Sequence, residues 1–192
     1  LAEAQQRIAG RLLNQCPNAA HILDIGGQST RPGASHVGVE EEWNRIGGVI
    51  EEILLHKPDT WISVDTFHAE VAQRALQAGA AMINDVSSGT MDPSMFAVVA
   101  ENEVPLVLMH MQGTPQTMQD NPSYHDIIPE ILAFFSLQTN AAFESGIHDI
   151  IIDKKFSDKG VKMTMWVIYA FTFILFGLNI ALSYMKSGWF TI

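Results

Sequence analysis

Asp24-Ile25-Gly26-Gly27-Gln28-Ser29-Thr30-Arg31-Pro32-Gly33-Ala34 follows a short apolar run, His21–Leu23, that reads as a buried strand. An acid therefore stands where a strand ends, ahead of two glycines and a polar loop. Gly26 and Gly27 let the backbone turn tightly and let a ligand come close. Thr30 and Arg31 place a hydroxyl and a guanidinium fork on the loop, and such a fork suits phosphate or carboxylate. Pro32 pins the loop. A strand, a functional loop and then a helix is how parallel α/β sites are assembled.

Outward from this stretch the same unit recurs. Leu1–Gln15 reads as a helix with Leu1, Ile8, Leu12 and Leu13 on one side, and Pro17-Asn18 punctuates it. Val39–His56 reads as a helix, acidic at Glu40, Glu41 and Glu42 and stopped by Lys57-Pro58. Trp61–Asp65, Ala81–Asp85, Val104–His110 and His148–Asp153 read as further strands. Between them lie helices over Phe67–Gln77, Pro93–Asn102 (with Asp92 as N-cap) and Tyr124–Ser145, and a polar loop over Gly113–Ser123. The strands are short continuous apolar runs, as when both faces are covered. Alternation of this kind is a parallel α/β architecture. Polar residues recur at the strand ends, at Asp24, Asp65, Asn84-Asp85, His110 and Asp153. In a (β/α)8 barrel that rim is the active site. A doubly wound sheet also binds at strand ends, but its G-x-G-x-x-G fingerprint is absent.

The chain has 192 residues and is 47% hydrophobic, enough for one domain with a real core. Cys16 is the single cysteine, which excludes an internal disulfide framework and a cysteine metal cluster, and it reads as a small buried hydrophobe. No secretory signal opens the chain, because Glu3, Arg7 and Arg11 interrupt the first apolar residues. The net charge of −10 is uneven: Leu1–Asp153 carries 20 acids against 6 Lys and Arg, a balance of −14, and Lys154–Ile192 one acid against 5 Lys, a balance of +4. The acidic body argues against a nucleic-acid partner. All seven His and all eight Pro precede residue 154, so the two segments differ in kind.

With these motifs in place, the chain resembles the dihydropteroate synthases of the pterin-binding enzyme family. The matching stretches are Asp24–Ala34, Ser63–Phe67 (SVDTF), Ile83–Gly89 (INDVSSG), Leu108–Gln119 (LMHMQGTPQTMQ) and Ile150–Asp153 (IIID). The resemblance implies a (β/α)8 TIM barrel of which residues 1–153 supply about five strands. It implies a transferase of folate biosynthesis, condensing 6-hydroxymethyl-7,8-dihydropterin diphosphate with 4-aminobenzoate. It implies that Asp65, Asn84 and Asp153 hold the pterin, that Met109 forms an apolar wall of its pocket, and that Asp24 stands near the reacting carbon. Thr30 and Arg31 match loop residues that contact diphosphate, so Asp24 and Arg31 are the catalytic candidates. The STRPGA loop, Ser29–Ala34, favours a synthase over the pterin-dependent methyltransferases. Asp85 reads equally as a helix cap or a pocket residue. His110 reads as packing rather than pocket; His36, His56, His68, His125 and His148 lack ligand spacing and read as surface or packing residues.

Two departures accompany the resemblance. The family's first strand, whose Asn binds Mg²⁺ on the diphosphate, would precede Leu1, so Mg²⁺ is implied without a protein ligand here. After Asp153 the family's Pro-Gly-x-Gly-Phe-Gly-Lys loop is replaced by Lys154-Lys155-Phe156-Ser157-Asp158-Lys159-Gly160. Residues 154–162 read as a basic linker and 186–192 as a short tail. Met163–Met185 between them is 23 residues without a charge, enough at ~1.5 Å per residue to cross a hydrocarbon core of ~30 Å. Trp166, Tyr169 and Tyr184 lie near its ends, and Lys154, Lys155, Lys159 and Lys162 precede it. The expectation is a transmembrane helix with a cytoplasmic body. The whole is expected to be a synthase truncated at both ends and joined at a frameshift or gene-model junction to an unrelated membrane tail. Such a chain is expected to have little or no synthase activity and to lack the helices of the family's homodimer. The alternative is a non-catalytic, membrane-tethered pterin-binding or interaction fragment.

Overall fold

The computed structural model describes residues 2–15, 22–29, 35–115, 117–118 and 122–153. The loop residues Thr30 and Arg31, the linker over 154–162, the apolar run over 163–185 and the tail over 186–192 lie outside the described residues. Among the described residues no helix is long and apolar enough to cross a membrane.

The elements run α1 (Ala2–Gln15), β1 (Ile22–Gly26), α2 (Val39–His56), β2 (Trp61–Asp65), α3 (Ala69–Gln77), β3 (Met82–Asp85), α4 (Met95–Glu101), β4 (Leu106–Met109), α5 (Ile127–Glu144) and β5 (Ile150–Asp153). The five strands form one parallel sheet in the order β1-β2-β3-β4-β5. Each strand pairs with its successor and the order never reverses. A doubly wound sheet reverses at its switch point, so this topology is an arc of a (β/α) barrel.

Register assigns the two faces. Successive residues of a strand point to opposite sides, and the pairings place Ile62, Val64, Ile83, Leu106 and Leu108 on one side. That side meets Ile46, Ile50 and Ile53 of α2, Val71 and Ala75 of α3, Met95 and Val99 of α4, and Ile131 and Phe135 of α5. All of them are nearly inaccessible to water. The core thus lies between the sheet and its crossover helices. Ile50 is 0% exposed at the centre of it. Replacing Ile50 by Ala is expected to cost about 3 kcal/mol in urea unfolding; a loss below about 1 kcal/mol would place it outside the core.

Element ends differ from the sequence expectations for local reasons. α3 begins at Ala69 rather than Phe67, because Phe67 is drawn into an apolar cluster with Val86 and Met109. α4 begins at Met95; Asp92 is not its N-cap residue but lends its carboxylate to two helix starts, taking Ala69 N at 2.8 Å and Ser94 N at 3.0 Å. α5 begins at Ile127 because Glu130 folds back and accepts from His125 N and Asp126 N. β1 is described over Ile22–Gly26, with His21 outside the described residues, and β3, β4 and β5 are trimmed to Met82–Asp85, Leu106–Met109 and Ile150–Asp153. On α1, Ile8 is 47% exposed while Ala9 is fully buried, so the small residue faces the neighbouring α2. The expectation of strands covered on both faces fails at β1, where Asp24 and Gly26 are exposed, and at β5, whose residues are all half-buried.

Candidate active site

The face of the sheet away from the helices carries the chemistry. Gly26 pairs with Asp65, Asp65 with Asn84, Asn84 with Val107, and Met109 with Asp153. With the two-residue period, Asp24, Asp65, Asn84, Met109 and Asp153 share that face; Asp65, Asn84, Met109 and Asp153 lie in the last two residues of their strands, whereas Asp24 stands mid-strand in β1, level with Ser63. Of the strand-end residues the sequence pointed to, these five share one face, whereas Asp85 and His110 turn to the helix side. Asn84 Nδ2 donates to Asp24 Oδ2 at 3.2 Å, reaching over β2 from β3 to β1. The amide is thereby oriented, and its buried Oδ1 accepts nothing from the described residues. An acceptor held in place with spare capacity, beside two carboxylates, suits a ligand edge rich in N–H donors.

The apolar part of the site is a second, smaller cluster. Phe67, Val86 and Met109 are buried together, with Met111 and Met118 packed against them. Met109 was expected as an apolar wall; Phe67 and Val86 were missed. Their signal is position: each is an apolar residue immediately beyond a polar strand end, where a buried side chain faces the rim rather than the helices.

Asp85 is settled as structural by the pleat. Its neighbour Asn84 faces the rim, so Asp85 points to the helix side, where it is 0% exposed. Its Oδ1 accepts from Ser87 N at 2.8 Å and Ser87 Oγ at 2.7 Å, and its Oδ2 from Gly89 N at 2.6 Å. Burial pushes its carboxyl above the ordinary range, against the pull of these donors. The turn so held keeps Ser88 at φ 54° and Gly89 at φ 76°, and Ser88 Oγ donates to Met109 O at 2.8 Å. A Cβ on Gly89 would stand 2.6 Å from the Phe96 ring. Asp85 therefore fixes the β3 turn, and the turn fixes the backbone of Met109.

His110 packs, as expected. Its ring meets Phe134 edge-on at 4.8 Å and Tyr124 at 5.8 Å, and burial lowers its pKa against the opposing charge of Glu130. His68 packs, as expected, but also makes a polar contact the sequence did not show: its Nδ1–H donates to Glu42 Oε2 at 2.7 Å, and Glu42 is 1% exposed. Glu42 was read as one of three acids at a helix start. A finer signal was present, because Glu42 lies on the stripe of Ile46, Val49, Ile50 and Ile53, where an acid is out of place. Among the described residues no group of three or more His, Cys, Asp and Glu is placed to hold a metal ion.

These strand-end features have counterparts elsewhere. A profile for the family described as "Pterin binding enzyme" matches residues 3–169, running past Asp153. The dihydropteroate synthase of Synechocystis sp. is 49% identical over 136 residues, covering 70% of this chain and 47% of that protein. The chain thus spans about half the length of the curated synthases it matches, and the Escherichia coli enzyme (44% identical over 128 residues) is covered to 45%. The structure of Xanthomonas albilineans dihydropteroate synthase with 4-aminobenzoic acid superposes with a TM-score of 0.72 at 38% identity, over 86% of this chain and 59% of that one. That of Anaplasma phagocytophilum, with bound 6-hydroxymethylpterin-monophosphate, gives 0.77 at 27% identity over 90% and 71%. An arc of barrel whose strand ends carry the family's motifs, matched by its profile across most of its length, belongs to the pterin binding enzyme family.

Proposed function

We propose that the strand-end face binds a 6-hydroxymethyl-dihydropterin diphosphate and serves its condensation with 4-aminobenzoate to dihydropteroate. The observation that carries this reading is the oriented Asn84 amide, clamped by Asp24 with its Oδ1 buried and open, next to Asp65 in register. Asp65 accepts from the N–H donors of the pyrimidinone edge, while Asn84 accepts through Oδ1. Phe67, Val86 and Met109 lie against the ring faces, and Asp153, level with Met109, closes the far side. The arylamine nitrogen attacks the methylene carbon, the carbon–oxygen bond breaks, and diphosphate leaves with the bonding pair. Positive charge develops on the pterin-methylene unit, where Asp24 and Asp65 oppose it. The proton lost by the amine passes to solvent or diphosphate. In this reading Thr30 and Arg31 receive the diphosphate. Mg²⁺, if bound with the diphosphate, would supply positive charge against the leaving group. Among the described residues no group of three or more His, Cys, Asp and Glu is placed to hold it.

The test is calorimetric titration with 6-hydroxymethylpterin monophosphate, followed by chromatography of the chain incubated with pterin diphosphate, 4-aminobenzoate and Mg²⁺. Saturable binding that Asn84→Ala weakens by about tenfold, the scale of one lost buried hydrogen bond, is expected. Formation of dihydropteroate extends the result from binding to catalysis. Absence of saturable binding overturns the reading.

A further inference from the structure

Glu42 is a buried acid on an otherwise apolar helix stripe. A carboxylate taken out of water costs several kcal/mol unless it is paired and hydrogen-bonded. An Ile at that position would fill the same stripe without such a cost, so packing alone does not account for the acid. Its partner is His68, and the pair joins two parts of the proposed site.

On one side Glu42 carries the Gly26–Gly27 turn. A Cβ placed on Gly27 would stand 2.6 Å from Glu42 O and 2.8 Å from its Cγ, so the turn rests directly on this residue. Arg45, one turn further along α2, donates from Nη1 to Gly27 O at 3.0 Å. On the other side His68 leads to the pocket wall. Its ring lies 4.6 Å from that of Phe67, and Phe67 packs with Val86 and Met109. His36, where the chain returns from the loop into α2, stacks on Phe67 at 6.1 Å and 15° and meets His68 at 5.5 Å. A continuous path therefore runs from Gly27 through Glu42, His68 and Phe67 to Met109.

We infer that Glu42 and His68 are a positioning pair: their hydrogen bond locks the Gly26–Gly27 turn, and with it Asp24, to the apolar wall that receives the pterin ring. This inference rests on the pterin-binding reading for its ligand but not for its geometry. Neither residue touches substrate. Loss of the hydrogen bond lets the turn and the wall shift independently, and the two halves of the pocket no longer meet one ligand together.

Four variants separate the bond from mere packing. His68→Phe keeps a ring against Phe67 but has no donor; His68→Asn places a donor nitrogen where Nδ1 stands. Glu42→Leu fills the stripe without an acceptor; Glu42→Gln keeps one. Each is titrated with 6-hydroxymethylpterin monophosphate, and thermal unfolding and the Met109 methyl NMR signal are recorded. The Phe and Leu variants are expected to bind about tenfold more weakly, the loss of one charge-assisted hydrogen bond, and to shift the Met109 signal. The Asn and Gln variants are expected to stay within about threefold of the parent with the Met109 signal in place. Leu and Phe variants that bind like the parent overturn the inference. An Asn variant as weak as the Phe variant also overturns it, because ring packing is then what matters. If the parent itself does not bind, the functional reading fails separately. The Met109 signal then decides the pair: moved by Glu42→Leu but not by Glu42→Gln supports it, and unmoved by both overturns it.

Discussion

Replacement of Asp65 by Asn is expected to weaken binding of 6-hydroxymethylpterin monophosphate about a hundredfold. Asp65 sits at the end of β2, level with Gly26 on one side and Asn84 on the other, in the middle of the rim. As a carboxylate it offers only acceptors, which matches a ligand edge of N–H donors. An amide there removes the charge and turns one acceptor into a donor facing other donors. Hydrogen bonds to charged groups contribute about 1.5–3 kcal/mol, and a mispaired buried donor adds a penalty of similar size. About 2.7 kcal/mol corresponds to the hundredfold loss. Titration calorimetry checks it; an affinity within about threefold of the parent would remove Asp65 from the pterin site. Asp24→Asn is expected to have a smaller effect, because Asp24 is exposed and its described contact on this face is the hydrogen bond from the Asn84 amide.

A stability effect as large as that at Ile50 is expected at a polar residue that never meets the ligand. Asp85→Ala should cost about 3 kcal/mol in chemical denaturation. It leaves Ser87 N, Ser87 Oγ and Gly89 N without their acceptor in a buried turn, and each such group costs about 1–3 kcal/mol. Part of the loss is offset because a fully buried carboxyl is also removed. The pH dependence has a definite sign. Burial raises the folded carboxyl above its unfolded value of about 3.9. Between those two values the folded state holds more protons, so stability falls as pH rises, and it is flat once both states are ionised. Asp85→Asn is expected to abolish that slope. A slope unchanged in the Asn variant would assign it to another group.

The two residues on β3 show why part of the site was legible in the sequence and part was not. Asn84 and Asp85 are adjacent polar residues at a strand end; Asn84 reads as a pocket residue and Asp85 equally as a pocket residue or a cap. The pleat sends one to the rim and the other to the helices, so the strand period alone divides them once the strand is located. Asp65 and Asp153 were legible for the same reason: they end short apolar runs, and parallel alternation forces such ends onto one edge of the sheet. Asp24 also follows an apolar run but stands mid-strand in β1, and Met109 was pointed to only by the family resemblance. Boundaries were less legible where a tertiary contact competes with local propensity. Phe67 has every reason to start a helix by sequence, but the apolar cluster withdraws it. Glu130 shortens α5 by capping its own start from within. The Glu42–His68 pair joins residues 26 apart in sequence; the helical stripe sets Glu42 apart from its exposed neighbours Glu40 and Glu41, but its partner on another element is not readable from the sequence.

The most direct test of the central claim is an NMR titration of the chain with 6-hydroxymethylpterin monophosphate, following the side-chain amide of Asn84 and the methyl of Met109 together. Pterin binding at the strand ends predicts that both signals move on one saturable curve, with the amide held in slow proton exchange by the bound ring, and that the curve is lost in Asp65→Asn. Ligand-induced shifts that leave Asn84 and Met109 unmoved, or that centre on the His110–Phe134 contact behind the sheet, would contradict it.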